Sequence, residues 1–310
     1  MSAPLHPQAA KFLADRAALG LPVAGDAPIS TLRKNTHLFI NDGGPSEAVA
    51  STQLKTIPTP TADISALVIT PEGSGPFPVL LFFHGGGWVL NFLDIYDASL
   101  ARLANQSGAT IISVNYQKAP EHPFPIPFDD CYATLLWVIA NAAHLGIDKN
   151  RIGVAGDSAG ANLASGVAIK ARDNSVALAF QVLIYPCNDR NFETNSYKEN
   201  ATGYGLSTQA MQWFWDQYLQ GSHHDQNPYA IPMRASSFKA LAPAIIITAQ
   251  YDPLLNDGER YAELLHRDGV PVLYKGYEGM IHGFFTNMAI TPTAQQAIDF
   301  VAYEVKKITQ

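Results

Sequence analysis

A serine hydroxyl is a weak nucleophile until a base takes its proton, so a serine matters chemically when its surroundings expose it and supply that base. In this chain Gly156-Asp157-Ser158-Ala159-Gly160 fits G-x-S-x-G. It follows an apolar run at 151–155 and precedes a helical pattern at 159–172. Strand, tight turn and helix form the context in which such a serine is presented, and flanking glycines let the turn close without a Cβ clash. The plain alternative is a glycine-rich turn. A second motif, His84-Gly85-Gly86-Gly87-Trp88, ends the apolar run 78–83. Consecutive glycines free backbone N–H groups to point one way, which suits a developing oxyanion; losing one such donor typically costs about 100–1,000-fold in rate. A phosphate loop is the other use of such a segment, but neither G-x-x-x-x-G-K-[ST] nor G-x-G-x-x-G with a following acid occurs.

Nine histidines compete for the role of base. His6 lies in the first residues, His223-His224 in a polar loop, His144 and His266 on surface-facing helix patterns, and His122 in Ala119-Pro120-Glu121-His122-Pro123-Phe124-Pro125. His282, in Gly279-Met280-Ile281-His282-Gly283-Phe284-Phe285, follows the apolar run 270–275, the place of the base in the order Ser…Asp…His. The acid belongs after the preceding strand. Asp252 follows the run 244–249, where parallel sheets place functional groups. Asp257 competes, but its place before Gly258-Glu259-Arg260 reads as an N-cap or first-turn residue.

These groups need a scaffold. Apolar runs of strand length recur at 64–69, 78–83, 110–115, 151–155, 180–185, 244–249 and 270–275, with helical patterns at about 96–106, 127–143, 159–172, 257–268 and 294–307 between them. That alternation predicts an α/β fold, a parallel sheet covered on both faces, with 78–83 and 110–115 central. Residues 7–19 read as a helix ended by Gly20 and Pro22, and 20–50 as mixed turns. The segment 187–240 breaks the rhythm. It carries an aromatic helix, Met211 to Leu219, that either caps a pocket or packs on the sheet. Trp88, Met211, Phe214 and Phe12 are candidates for lining a substrate pocket; as plain core aromatics and aliphatics they fit equally well.

Composition narrows the function. Charged residues are 15% of the 310 against a usual 25% or so. The net charge is −7, with no dense Lys/Arg run, which argues against nucleic acid and against an anionic membrane surface. Cys131 and Cys187 have no metal-type spacing and read as free, buried thiols. The opening residues lack a basic region followed by an apolar core, and no run of about 18 apolar residues occurs. The expectation is a soluble cytoplasmic protein.

Taken together, His84-Gly85-Gly86-Gly87, Asn115-Tyr116, the 119–125 segment, Gly156-Asp157-Ser158-Ala159-Gly160, Asp252-Pro253-Leu254 and Ile281-His282-Gly283-Phe284 resemble the motifs of hormone-sensitive-lipase-like carboxylesterases, the bacterial family IV branch of the α/β-hydrolases. The resemblance runs from about residue 5 to the end. It implies an eight-stranded, mostly parallel α/β-hydrolase sheet in one domain spanning 1–310, with a helical cap from about 1–50 and part of 187–240. It also implies hydrolysis of short- to medium-chain acyl esters without a cofactor or metal. Ser158 is then the nucleophile, His282 the base and Asp252 the orienting acid. Gly85, Gly86 and Ala159 supply the oxyanion N–H groups, and His84 is a structural neighbour. Gln117-Lys118, Ala161 and Leu255 depart from the family pattern, which usually has arginine and leucine, glycine, and arginine there. An amidase, thioesterase or deacetylase on the same triad, or a small-ligand binder, are the alternatives. A homodimer through an edge strand within 270–310 is the expected assembly.

Overall fold

The computed structural model describes residues 3–90, 93–221 and 223–310. Met1 and Ser2 of the expected cap segment, and Ser222 of the 187–240 insertion, lie outside the described residues. Eight strands form one sheet: β1 (Ser51–Pro58), β2 (Asp63–Thr70), β3 (Phe77–Phe83), β4 (Thr110–Asn115), β5 (Ile147–Asp157), β6 (Phe180–Ile184), β7 (Ala244–Tyr251) and β8 (Val272–Ile281). Their order is β1-β2-β4-β3-β5-β6-β7-β8. β1 pairs β2, and β2 pairs β4, antiparallel; every later pairing is parallel. β3, β4 and β6 are buried on both faces because helices cover both.

The helices are α1 (Pro7–Ala18), α2 (Ile29–Thr36), α3 (Asp97–Ser107), α4 (Ile126–Ala140), α5 (Ala142–Leu145), α6 (Ala159–Asp173), α7 (Asn195–Glu199), α8 (Thr208–Leu219), α9 (Leu255–Arg267) and α10 (Pro292–Thr309). Leu103 of α3 and Val301 of α10 join the core on one face of the sheet. Leu135 of α4, Val167 of α6 and Leu265 of α9 join the core on the other.

Four boundaries correct the sequence reading. β1 is an edge strand whose residues are mostly exposed, Leu54 among them, so no apolar run marks it. The 20–50 stretch read as turns contains α2 and a 3-10 turn at His37–Gly43; α2 buries only Leu32 and Thr36. The helix expected at 127–143 is two, parted at Asn141. β8 begins at Val272 rather than 270 and runs on to Ile281, through Gly276 and Gly279.

Candidate active site

Every sequence motif lies at the carboxyl end of a parallel strand, the edge where open α/β sheets hold their ligands. β3 runs into His84-Gly85-Gly86-Gly87, β5 into Ser158, β7 into Asp252 and β8 into His282. At Ser158 the chain passes from β5 to α6 with φ 55° and ψ −122°, a strained conformation for a residue with a side chain. The Ser158 N–H donates to the Ile184 carbonyl at 2.8 Å, which ties the turn to β6. A Cβ on Gly160 would strike the backbone of Phe83, and one on Gly156 the backbone of Gly160. The turn therefore admits no larger residue at either position.

The three groups expected to act together meet. His282 Nε2 is 2.9 Å from Ser158 Oγ, and His282 Nδ1 is 2.7 Å from Asp252 Oδ2. With the proton on Nδ1 donated to Asp252, Nε2 accepts from the serine hydroxyl. Asp252 is fully buried. Its Oδ1 accepts the Leu254 N–H at 2.9 Å, so both carboxylate oxygens are satisfied. Asn200 Nδ2 holds the Asp252 carbonyl at 3.1 Å, and Ser196 Oγ the Pro253 carbonyl at 2.6 Å. The Tyr185 ring packs 4.6 Å from the imidazole. Asp257 sits in the first turn of α9, buried, with Oδ2 accepting the Asp189 N–H.

The glycine motif corrects one expectation. The Gly85 N–H donates to Asp157 Oδ1 at 2.8 Å and to Tyr96 Oη at 3.0 Å, so it is not a donor for an oxyanion. Gly86 and Gly87, not Gly85, line the cavity beside Ser158. Three adjacent glycines look alike in sequence; only the buried Asp157 decides which amide is spent. Burial pushes the Asp157 carboxyl up to about 6, against the Gly85 and Tyr96 hydrogen bonds that favour its charge. Ala159 is the first residue of α6, where an amide has no intrahelical acceptor. His84 is buried away from the cavity. It stacks on Tyr116 at 4.4 Å, with Nδ1 on the Gly85 carbonyl. Burial holds it far below the usual imidazole range and hence neutral.

A cavity of about 260 Å³ is lined by Ser158, His282, Gly86 and Gly87, and by Phe12, Met211 and Phe214 as expected. Trp88 does not line it. Its ring is fully buried, stacked on Tyr218 at 4.3 Å and packed on Trp215 at 4.5 Å; it is core beneath the loop. Among the lining residues that were not anticipated are Arg16, Phe39 and Asp42; Phe39 and Asp42 lie in the stretch read as turns. Cys187 also lines the cavity. Both cysteines are free and buried, and burial pushes their thiols up.

The segments over the cavity are tied down. Arg33 of α2 pairs with both Glu121 oxygens at 2.8 and 2.7 Å and donates to the Val89 and Ala119 carbonyls. The Ala3 carbonyl accepts from Gln250 Nε2 and Tyr251 Oη, and the His6 N–H donates to the Gly279 carbonyl. At the departing positions, Gln117 bonds Thr61 and Asp130, and Lys118 bonds Asn115 and the Tyr116 carbonyl. Ala161 is buried within α6, and Leu255 opens α9.

No group of three or more His, Cys, Asp or Glu side chains among the described residues could hold a metal ion. No described helix is long and apolar enough to cross a membrane.

A family model described as alpha/beta hydrolase fold matches residues 80–286. Carboxylesterase NlhH of Mycobacterium tuberculosis is 40% identical over 224 residues, covering 71% of this chain and 70% of that protein. An arylesterase of Saccharolobus solfataricus is 32% identical over 254 residues, covering 82% of this chain and 83% of that one. A hyperthermophilic esterase from the archaeon Pyrobaculum calidifontis superimposes with a TM-score of 0.93 at 37% identity, covering 98% of this chain and 99% of that one. With its motifs, sheet order and relatives in agreement, the chain belongs to the α/β-hydrolase family, in the hormone-sensitive-lipase-like branch of carboxylesterases.

Proposed function

We propose that the protein is a serine carboxylesterase acting on small esters of short- to medium-chain acids through an acyl-enzyme. The observation that carries the proposal is the hydrogen-bonded chain from Ser158 to His282 to buried Asp252, opening into a cavity. The activities named for the relatives, carboxylesterase and arylesterase, support it.

Ser158 Oγ attacks the ester carbonyl while His282 Nε2 takes the hydroxyl proton. Asp252 fixes the imidazole tautomer and stabilises the imidazolium that forms. The carbonyl oxygen becomes an oxyanion and is met by the N–H groups of Gly86, Gly87 and Ala159. The tetrahedral adduct collapses, the C–O bond to the alcohol breaks, and His282 returns its proton to the departing oxygen. Water then attacks the acyl-enzyme, with His282 again as base, and free carboxylic acid and serine result. Apart from the ester and water, every group in these steps belongs to the chain.

The cap in this reading is built from about 1–50 and part of 187–240, which supply Phe12, Phe39, Met211 and Phe214 to the cavity. A volume of about 260 Å³ falls below the roughly 300–1,000 Å³ of typical small-molecule sites, which supports acyl groups of a few carbons. The reading includes a cytoplasmic location and a homodimer paired through β8, the outer strand. Leu273 and Tyr274 there are each 37% exposed, and an open edge of that kind invites a partner strand.

A p-nitrophenyl ester panel from acetate to palmitate, with organophosphonate labelling of Ser158, tests the activity. Turnover peaking at short chains, with the label on Ser158, is expected. Absence of turnover and of label, or faster hydrolysis of a long-chain triglyceride emulsion than of a butyrate ester, would overturn it. Sedimentation velocity at micromolar concentration tests the dimer.

A further inference from the structure

Beside the catalytic cavity, and partly open to solvent at Ala17, Pro22 and Val23, lies a second recess of about 510 Å³. Its wall is apolar: Leu13, Ala17, Leu21, Val23, Leu32 and Leu90 contribute, from α1, the 20–28 loop, α2 and the strand-end loop after Trp88. The reaction as described leaves this chamber unused. The two cavities share Phe12, Arg16, Thr36 and Phe39, so these side chains are the partition between them.

Arg16 is the unusual member. A guanidinium beside an apolar recess needs a partner to hold it there. Here Asp42 pairs with it, and its carbon Cζ lies 3.0 Å from the Phe39 ring centroid and 4.7 Å from that of Phe12. The pair is about three-quarters buried, with side-chain exposures of 24% and 22%. Burial pulls the Arg16 pKa down and pushes that of Asp42 up, each against the pull of its partner. A planar cation stacked on aromatic rings and anchored by a carboxylate is a fixed block.

We infer that Arg16 sets the upper limit on substrate chain length: it stands between the catalytic cavity and the apolar recess beside it, which takes the hydrocarbon tail of a longer ester once Arg16 is removed. The proposal rests on the esterase reading of Ser158 and deepens it. Each methylene taken from water into the chamber is worth about fourfold in binding, so opening the partition favours long chains progressively.

The test compares wild type with Arg16→Ala, which removes the block, and Arg16→Met, which keeps most of its bulk without the charge. Two ester series are used, p-nitrophenyl esters of C2 to C12 acids and acetates of C2 to C12 alcohols, so that the half of the ester entering the chamber is identified. Arg16→Ala is expected to raise the decanoate-to-butyrate ratio of kcat/KM, or its alcohol-series equivalent, at least tenfold. Arg16→Met is expected to move it less than threefold. Leu13→Trp, which fills the chamber, is expected to leave the wild-type profile unchanged and to erase the gain in the Arg16→Ala background. An unmoved ratio in both series for Arg16→Ala, or an equal shift in Arg16→Met, overturns the proposal. If Arg16→Ala does not fold, Arg16→Val carries the same comparison. Only ratios among proteins that hydrolyse p-nitrophenyl acetate are read, so a wild type without ester hydrolysis refutes the esterase reading and is told apart from a failure of the partition.

Discussion

The turn at Ser158 and the roof over it are built on different terms. The turn is held by backbone. Ser158 adopts a positive φ, its N–H is bonded to β6, and Gly156 and Gly160 touch main chain. The roof is filled by side-chain bulk: Phe12 and Phe214 reach one cavity from helices about two hundred positions apart. Backbone contacts of the first kind admit one residue type; apolar filling of the second kind admits several of similar volume. Reactivity is therefore confined to short motifs, and selectivity is spread over segments with no motif.

The sharpest way to break that contrast is at its centre. Ser158→Ala should lower kcat/KM for p-nitrophenyl butyrate by about 10⁵–10⁶ while the thermal midpoint stays within a few degrees, since only one hydroxyl is removed. Asp252→Asn keeps the shape and spoils the tautomer; a loss near 10⁴ in kcat is expected, and a loss under tenfold would move the orienting role elsewhere. Gly160→Ala places a Cβ against the Phe83 carbonyl, and denaturant unfolding should show destabilisation of more than about 3 kcal/mol.

Asp157 gives the turn an electrostatic signature. Its carboxyl is raised from 3.8 to about 6 by burial, so the folded protein holds a proton the unfolded chain has released. The associated stability is fully present below about pH 4 and is lost as pH rises through about 6, a change of roughly 3 kcal/mol. Urea titrations from pH 4 to 7 should show that slope in wild type and a flatter one in Asp157→Asn; parallel curves would remove the assignment. The smallest effect belongs to the roof. Phe12→Ala should change p-nitrophenyl acetate hydrolysis by less than tenfold while altering the chain-length profile. A larger loss on acetate would mean that the roof takes part in the chemistry.

The same division explains what could be read from the sequence. Ser158 and Asp252 are legible because each follows a buried strand end, and buried parallel strands are continuous apolar runs; His282 follows the largely exposed β8 and is legible from its order after them. Gly85 was assigned to the oxyanion because the motif does not say which amide a distant carboxylate consumes; Tyr96 and Asp157 take it. Trp88, after the glycines, fits a pocket wall or the core equally well in sequence; its partners Trp215 and Tyr218, more than a hundred positions away, decide for the core. β1 and α2 bury few residues, so hydrophobic patterning passes over them. Arg16, Phe39 and Asp42 acquire meaning only through one another.

The hydrogen bonds from Ala3 to Gln250 and Tyr251 join residues 247 and 248 positions apart. Synthesis delivers Ala3 and His6 long before the strand ends that hold them. At about 5–20 residues per second the delay is on the order of ten to fifty seconds. The segment leading into α1 cannot dock until β7 and β8 exist, so the growing chain carries it undocked through most of its own translation. A segment made early is thus among the last to find its place, after the sheet beneath the catalytic cavity is complete.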